Sequence, residues 1–163
     1  MTHAKRLDTF DPDYLLLLEG RKRQRKDPGL MPAWDRYDTP LFRDLRTWRD
    51  AGRILPQILI ISPVHGLIEP TEQIEAYDAG ELLLEDDVAD MIVDDPDNRD
   101  LFRRYFTQAK RTLCVTEKRA NLIFRRWLES GEHYQYEARG LAHKRFALRT
   151  FLESVPQNAK PAR

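Results

Sequence analysis

The sequence has one cysteine, Cys114, among its 163 residues. A lone thiol excludes an internal disulfide, and without a companion cluster it makes a poor zinc site. Long apolar runs are also missing. No stretch approaches the roughly 20 apolar residues that cross a bilayer, and Met1 to Asp13 is charged and lacks the apolar core of a secretory signal. The expectation is a cytoplasmic protein with no membrane association. There is no internal repeat and no low-complexity tract. A Walker loop, a glycine-rich dinucleotide fingerprint and a Gly-x-Ser-x-Gly elbow are absent too, which disfavours phosphoryl transfer from ATP, NAD chemistry and α/β-hydrolase chemistry. No metal and no cofactor are expected.

What is present is charge, and it is segregated. The totals cancel, with 27 Lys and Arg against 27 Asp and Glu. Residues 1–60 nevertheless carry a net +3, residues 61–100 a net −12 and residues 101–163 a net +9. Such asymmetry can mark a nucleic-acid surface, and it also arises when opposite charges pair across a fold. With 41% apolar and 33% charged residues, the chain reads as one globular domain over 1–163. Residues 1–13 and 156–163 are expected as frayed tails.

Strand and helix signals alternate. Tyr14 to Leu18 is a short apolar run between Pro12 and Gly20, which suits a strand buried on both faces. A polar loop, Arg21 to Trp34, follows and is long for a connection inside a compact domain. Thr39 as N-cap and Pro40 at the first helical position open a helix that Gly52 ends. Ile58 to Ile61 is the clearest strand, β-branched and apolar throughout. Ser62 to Gly80 is a loop. Glu81 to Met91 reads as an acidic amphipathic helix, and Asn98 as the cap of the next, whose apolar face includes Leu101, Phe102 and Tyr105. Thr112 to Val115 is a third strand. Thr116 is expected to cap a helix with Leu122, Ile123 and Trp127 inward. Tyr134 to Glu137 is a fourth strand, and Leu141 to Leu152 the last helix. This order predicts a three-layer α/β fold, with a mostly parallel sheet of about four strands and helices on both faces. Ligands of such sheets bind at the carboxyl ends of the strands. Two polar segments leave those ends early in the chain, Glu19 to Lys26 and Ser62 to Asp78.

The second segment holds the catalytic candidates. Ser62 stands at a strand tip, Gly66 permits a left-handed turn and His65 titrates near neutrality. Glu69, Glu75, Tyr77 and Asp78 supply carboxylates and a phenol, groups suited to acid–base work where they converge. A turn held by its own Ser and Gly, with solvated acids around it, fits the same residues. The first segment offers Arg21, Lys22, Arg23 and Arg25 for phosphate contact, which Lys118 and Arg125 could extend. Tyr134 and Tyr136 project to one side of a strand and suit either base stacking or core packing.

These loops resemble those of the YaaA-like family of bacterial proteins. The matching stretches are Glu19-Gly20-Arg21-Lys22, Tyr37-Asp38-Thr39-Pro40-Leu41-Phe42, Ser62-Pro63-Val64-His65-Gly66-Leu67 and Ile74-Glu75-Ala76-Tyr77-Asp78. The likeness spans roughly residues 14–80. The chain departs from the family at Leu18-Glu19, where relatives carry Ser-Cys, at Val64-His65 in place of Lys-Tyr, and at Ala76 in place of Pro. The resemblance implies an α/β fold with a positively charged cleft and DNA binding linked to stress or damage. Similar architecture occurs in uracil-DNA-glycosylase-like proteins, an analogy of fold alone.

Three functions therefore stand open. The first is binding of nucleic acid, DNA foremost, in stress response, DNA repair or defence. The second is an enzyme acting on a nucleobase or nucleoside, such as an N-glycosidic hydrolase. The third is a protein-interaction module using the acidic segment 81–100. Pairing of the −12 and +9 segments between copies makes a homo-oligomer a further expectation.

Overall fold

The computed structural model describes residues 8–21, 23–78 and 85–158. Its centre is β1, Phe10–Glu19. Leu15, Leu16, Leu17 and Leu18 are all fully buried. They alternate between two cores, Leu16 and Leu18 on one face and Leu15 and Leu17 on the other. Side chains on a strand point alternately to its two faces, so four consecutive leucines serve two helical layers at once. Burying a leucine contributes about 1.5–3 kcal/mol, so this short run is a major part of what fixes the sheet.

Two short elements follow, β2 (Met31–Pro32) and α1 (Ala33–Arg36), and then α2 (Pro40–Asp50). Thr39 caps α2 by accepting from Phe42 N, and Pro40 occupies its first turn. β3 (Leu55–Ser62), β4 (Gly66–Ile68) and β5 (Gln73–Ile74) come next. α3 (Asp86–Asp94), α4 (Pro96–Phe106), β6 (Arg111–Cys114) and α5 (Lys118–Trp127) lead to β7 (Tyr134–Tyr136) and α6 (Leu141–Ser154). The main sheet has the order β4-β3-β1-β6-β7, and β2 pairs with β5 in a separate ribbon. Only β4 runs antiparallel in the main sheet. Residues of α1, α2 and α6 pack on one face, and residues of α3, α4 and α5 on the other. The result is the expected three-layer α/β architecture, with five strands in place of four.

Several local expectations are corrected. The first strand begins at Phe10 and pairs there with Leu55, so residues 10–13 are not a frayed tail. Past α6, Gln157 is bonded to both backbone groups of Ile54. Asp95, not Asn98, caps α4, by accepting from Asp97 N at 2.9 Å. Asn98 is buried instead, accepting from Leu67 N at 3.2 Å and donating to Ile92 O at 3.1 Å. Glu117, not Thr116, is the N-cap residue of α5. Leu122 is 50% exposed rather than inward, because Ala120, Ile123, Phe124 and Trp127 form the buried stripe. Of the acidic helix expected from Glu81, residues 81–84 lie outside the described residues.

Candidate functional site

The sheet reverses its winding at β1. From β1 the chain crosses to β3 on one side, then returns to place β6 on the other. The segment after β1 leads to α2 on one face, and the segment after β6 leads to α5 on the opposite face. Loops that diverge in this way leave a crevice at the carboxyl ends of the two strands, the usual ligand position in α/β sheets. Here it is a cavity of about 240 Å³. Glu19, Arg21 and Arg23 line it from the end of β1, and Thr116 and Glu117 from the end of β6. Lys144 closes it from α6, with Leu41 and Leu141 as apolar wall.

Two of these groups are buried charges. The Glu19 side chain is 7% exposed and lies 3.0 Å from Arg21 Nε. Its Oε1 accepts from Glu117 N at 3.0 Å. Burial raises its pKa above the ordinary carboxylate range, and the Arg21 charge opposes that shift. Lys144 is 5% exposed. Its ammonium donates to Glu137 O at 2.9 Å and Arg139 O at 2.6 Å, and it sits 5.6 Å from the Tyr136 ring. Among the described residues no carboxylate lies within ion-pair distance of it.

The second polar segment forms a connected hydroxyl chain. Ser62 Oγ is 2.9 Å from Tyr77 OH, which is 2.7 Å from Tyr37 OH. Ser62 also accepts from Val64 N and His65 N, each at 3.2 Å. Its hydroxyl is therefore committed, and the tie to His65 runs through backbone rather than imidazole. The His65 ring packs edge-on against Tyr77 at 5.1 Å, and burial depresses its pKa against an opposing pull from Glu72. Burial likewise raises the pKa of both Tyr37 and Tyr77. Gln24 grips the Tyr77 backbone from across the sheet end, donating to its carbonyl and accepting from its N–H. Gly20 lies flat against the Tyr37 ring, where an added Cβ would fall 2.2 Å from Cζ. The hydroxyl chain thus packs behind the point at which β1 turns into the cavity wall.

The long basic loop is pinned from beneath. Arg36 is completely buried and donates to Arg25 O, Asp27 O, Gly29 O and Ile74 O, at 2.8, 2.9, 2.5 and 3.3 Å. Four carbonyl dipoles surround this guanidinium, and among the described residues it has no carboxylate partner. Arg25 is thereby held from beneath, while Arg23 O accepts from Asp38 N at 2.8 Å and Arg21 O from Gln24 Nε2 at 3.1 Å.

The remaining candidates disperse. Glu69 bonds Tyr105 OH and lies 3.4 Å from Arg104, so it is drawn toward α4. Glu75 and Asp78 are exposed at the surface. Lys22 lies outside the described residues. Lys118 opens α5 beside the cavity rim, whereas Arg125, seven residues later, is about 10 Å further along the axis. Tyr134 donates to Asn121 and Tyr136 to Thr116 O, so both rings are fixed parts of the fold. Segregated charge is in part internal pairing, as between Arg126 and Asp90 at 2.8 Å and Arg104 and Glu69 at 3.4 Å. A larger hollow of about 340 Å³ near Trp127 and His133 lies at the amino end of β6 and β7, away from the crevice. Among the described residues no group of three or more His, Cys, Asp or Glu is arranged to hold a metal, and no helix is long and apolar enough to cross a membrane.

Compared with protein-family models, with curated proteins and with solved structures, the chain matches none.

Proposed function

We propose that the protein binds nucleic acid, DNA foremost, along the carboxyl edge of its sheet, seating one nucleotide in the cavity between β1 and β6. The observation that carries this reading is the cavity itself, about 240 Å³ at the strand switch point, with Arg21 and Arg23 on its wall. That volume lies just below the range of drug-sized ligand pockets and suits a base with its sugar. Lys118, next to Glu117 at the start of α5, extends phosphate contact outward, as does Arg25, two residues beyond Arg23 and paired with Asp27 at 3.4 Å. The YaaA-like resemblance of residues 14–80 supports DNA as the polymer and stress response, repair or defence as the setting.

The test is fluorescence anisotropy with labelled single-stranded DNA, duplex DNA and RNA over a salt series. Three or four phosphate contacts give a log–log slope of about −3 on duplex. Arg23→Ala should lower that slope by about one. Absence of binding to any of the three polymers at low salt refutes the reading.

Glu19 favours a second reading, hydrolysis of an N-glycosidic bond. Its carboxylate lines the cavity with one oxygen held by Arg21 and the other by Glu117 N, and a carboxylate fixed in this way can stabilise the positive charge that develops on a sugar as the base departs. Incubation with oligonucleotides and nucleosides, followed by chromatography of released base, checks it. Turnover that is lost in Glu19→Gln supports catalysis, and no release from any substrate excludes it for those substrates.

A further inference from the structure

We infer that the cavity between β1 and β6 is a receptor for a phosphomonoester, the terminal phosphate of a nucleotide, held by Lys144 and Arg23. The inference rests on the nucleotide-binding reading and names the group that anchors the ligand.

Two independent features support it. The first is Lys144. An ammonium carries three N–H donors, and two are taken by Glu137 O and Arg139 O. Glu19 acts on this buried cation only through space, with no ion pair to it, so the third donor is left for an anion in the cavity. The second feature is the convergence of helix starts. The cavity is lined by Thr39 and Leu41 at the start of α2, by Glu117 at the start of α5, and by Leu141 at the start of α6. These helices run 11, 10 and 14 residues. Each amino terminus carries a partial positive charge and unsatisfied N–H groups. Neither α5 nor α6 has a side-chain cap.

The two carboxylates do not cancel this field. Glu19 is matched by Arg21 at 3.0 Å. Glu117 is exposed, and its N–H is already bonded to Glu19. Lys144 and Arg23 remain for the ligand. A phosphomonoester, with up to two charges and three acceptor oxygens, suits cations that reach it from two separate segments. The same chemistry is offered by a free mononucleotide and by a phosphorylated strand end.

The experiment separates these sources. Short single strands carrying a phosphate at the 5′ end, at the 3′ end or at neither are titrated by anisotropy, with AMP and inorganic phosphate as competitors and as ligands in calorimetry. A terminal phosphate should tighten binding about tenfold on at least one end. Lys144→Met should reduce the ratio of phosphorylated to unphosphorylated affinity to about one. Because a buried substitution can disturb folding, Arg23→Gln, at an exposed position, should lower the same ratio independently. Binding of AMP with no binding of any strand assigns the site to a free nucleotide and removes the polymer reading while the phosphate site stands. Equal binding of all strands, with no effect of AMP or phosphate, overturns the phosphate site and leaves the polymer reading intact. No binding of any probe overturns both.

Discussion

Arg36 offers the sharpest test of how this fold holds its basic loop. The guanidinium reaches four backbone carbonyls, three of them on residues 25–29 and the fourth on Ile74. Replacement by Met keeps much of the stem and removes every donor. Hydrogen bonds to a charged group contribute about 1.5–3 kcal/mol each before compensation. Two effects reduce the sum. The buried charge no longer has to be desolvated, and the carbonyls of Arg25, Asp27 and Gly29 lie on exposed residues that can turn to water. The Ile74 carbonyl belongs to a buried residue in the β2–β5 ribbon and has less freedom. A net loss of about 2–4 kcal/mol follows. At about 2–4 °C per kcal/mol for a chain of this size, that is roughly 4–16 °C in melting temperature. Arg36→Lys should fall between, since one ammonium cannot span four carbonyls. Urea unfolding gives the stability, and amide exchange across residues 23–30 locates it. Arg25 N, which donates to Arg36 O at 2.7 Å, should lose protection first. A stability change below about 0.5 kcal/mol for Arg36→Met, or a larger one with loop protection intact, refutes the clamp.

Three further outcomes are expected. Gly20→Ala places a methyl 2.2 Å from the Tyr37 ring and should destabilise by about 1–3 kcal/mol or more, with Gly20→Ala/Tyr37→Leu recovering part of the loss; equal instability of the single and double variants would contradict the close packing. Cys114 is fully buried with its thiol pushed up to about 11, so iodoacetamide at neutral pH should label it only after denaturation, and rapid native labelling would show the site to be open. Burial holds the folded pKa of Glu19 above the ordinary carboxylate value, so the folded state binds more protons than the unfolded chain between those two pKa values. Stability should therefore fall as pH rises through that window, and the fall should be absent in Glu19→Gln; identical pH profiles for the two proteins would remove Glu19 as its source.

Strong local patterns carried most of the fold. The leucines of β1 and the β-branched run of β3 are sequence signals of strands covered on both faces, and both lie at the centre of the sheet. Where local pattern is weak, tertiary pairing decides. Phe10 to Asp13 contains two aspartates and a proline, yet it joins β1 through pairing with Leu55 and Pro56. β2, β4 and β5 have two or three residues each, too few to show a period. Leu122 illustrates an error of helical phase. The buried positions 120, 123, 124 and 127 define one stripe at 100° per residue, and 122 falls about 200° from 120.

The site was legible in part, for a topological reason. Both segments leaving the strand tips, Glu19 to Lys26 and Ser62 to Asp78, do lie at the carboxyl edge. Which of them opens to a ligand depends on strand order, and no local pattern encodes strand order. With β6 beside β1, Glu19 acquires Glu117 and Lys144 as neighbours from 98 and 125 residues away. On the other side of β1, β3 brings Ser62 against Tyr77 and Tyr37, and the hydroxyls satisfy one another. Polarity at a strand tip thus has two physical outcomes. Groups that find protein partners become scaffold, as Ser62 does. Groups that meet where three helix starts and a buried ammonium converge are only partly matched by protein partners, and this is the basis of the anion site inferred for the β1–β6 crevice.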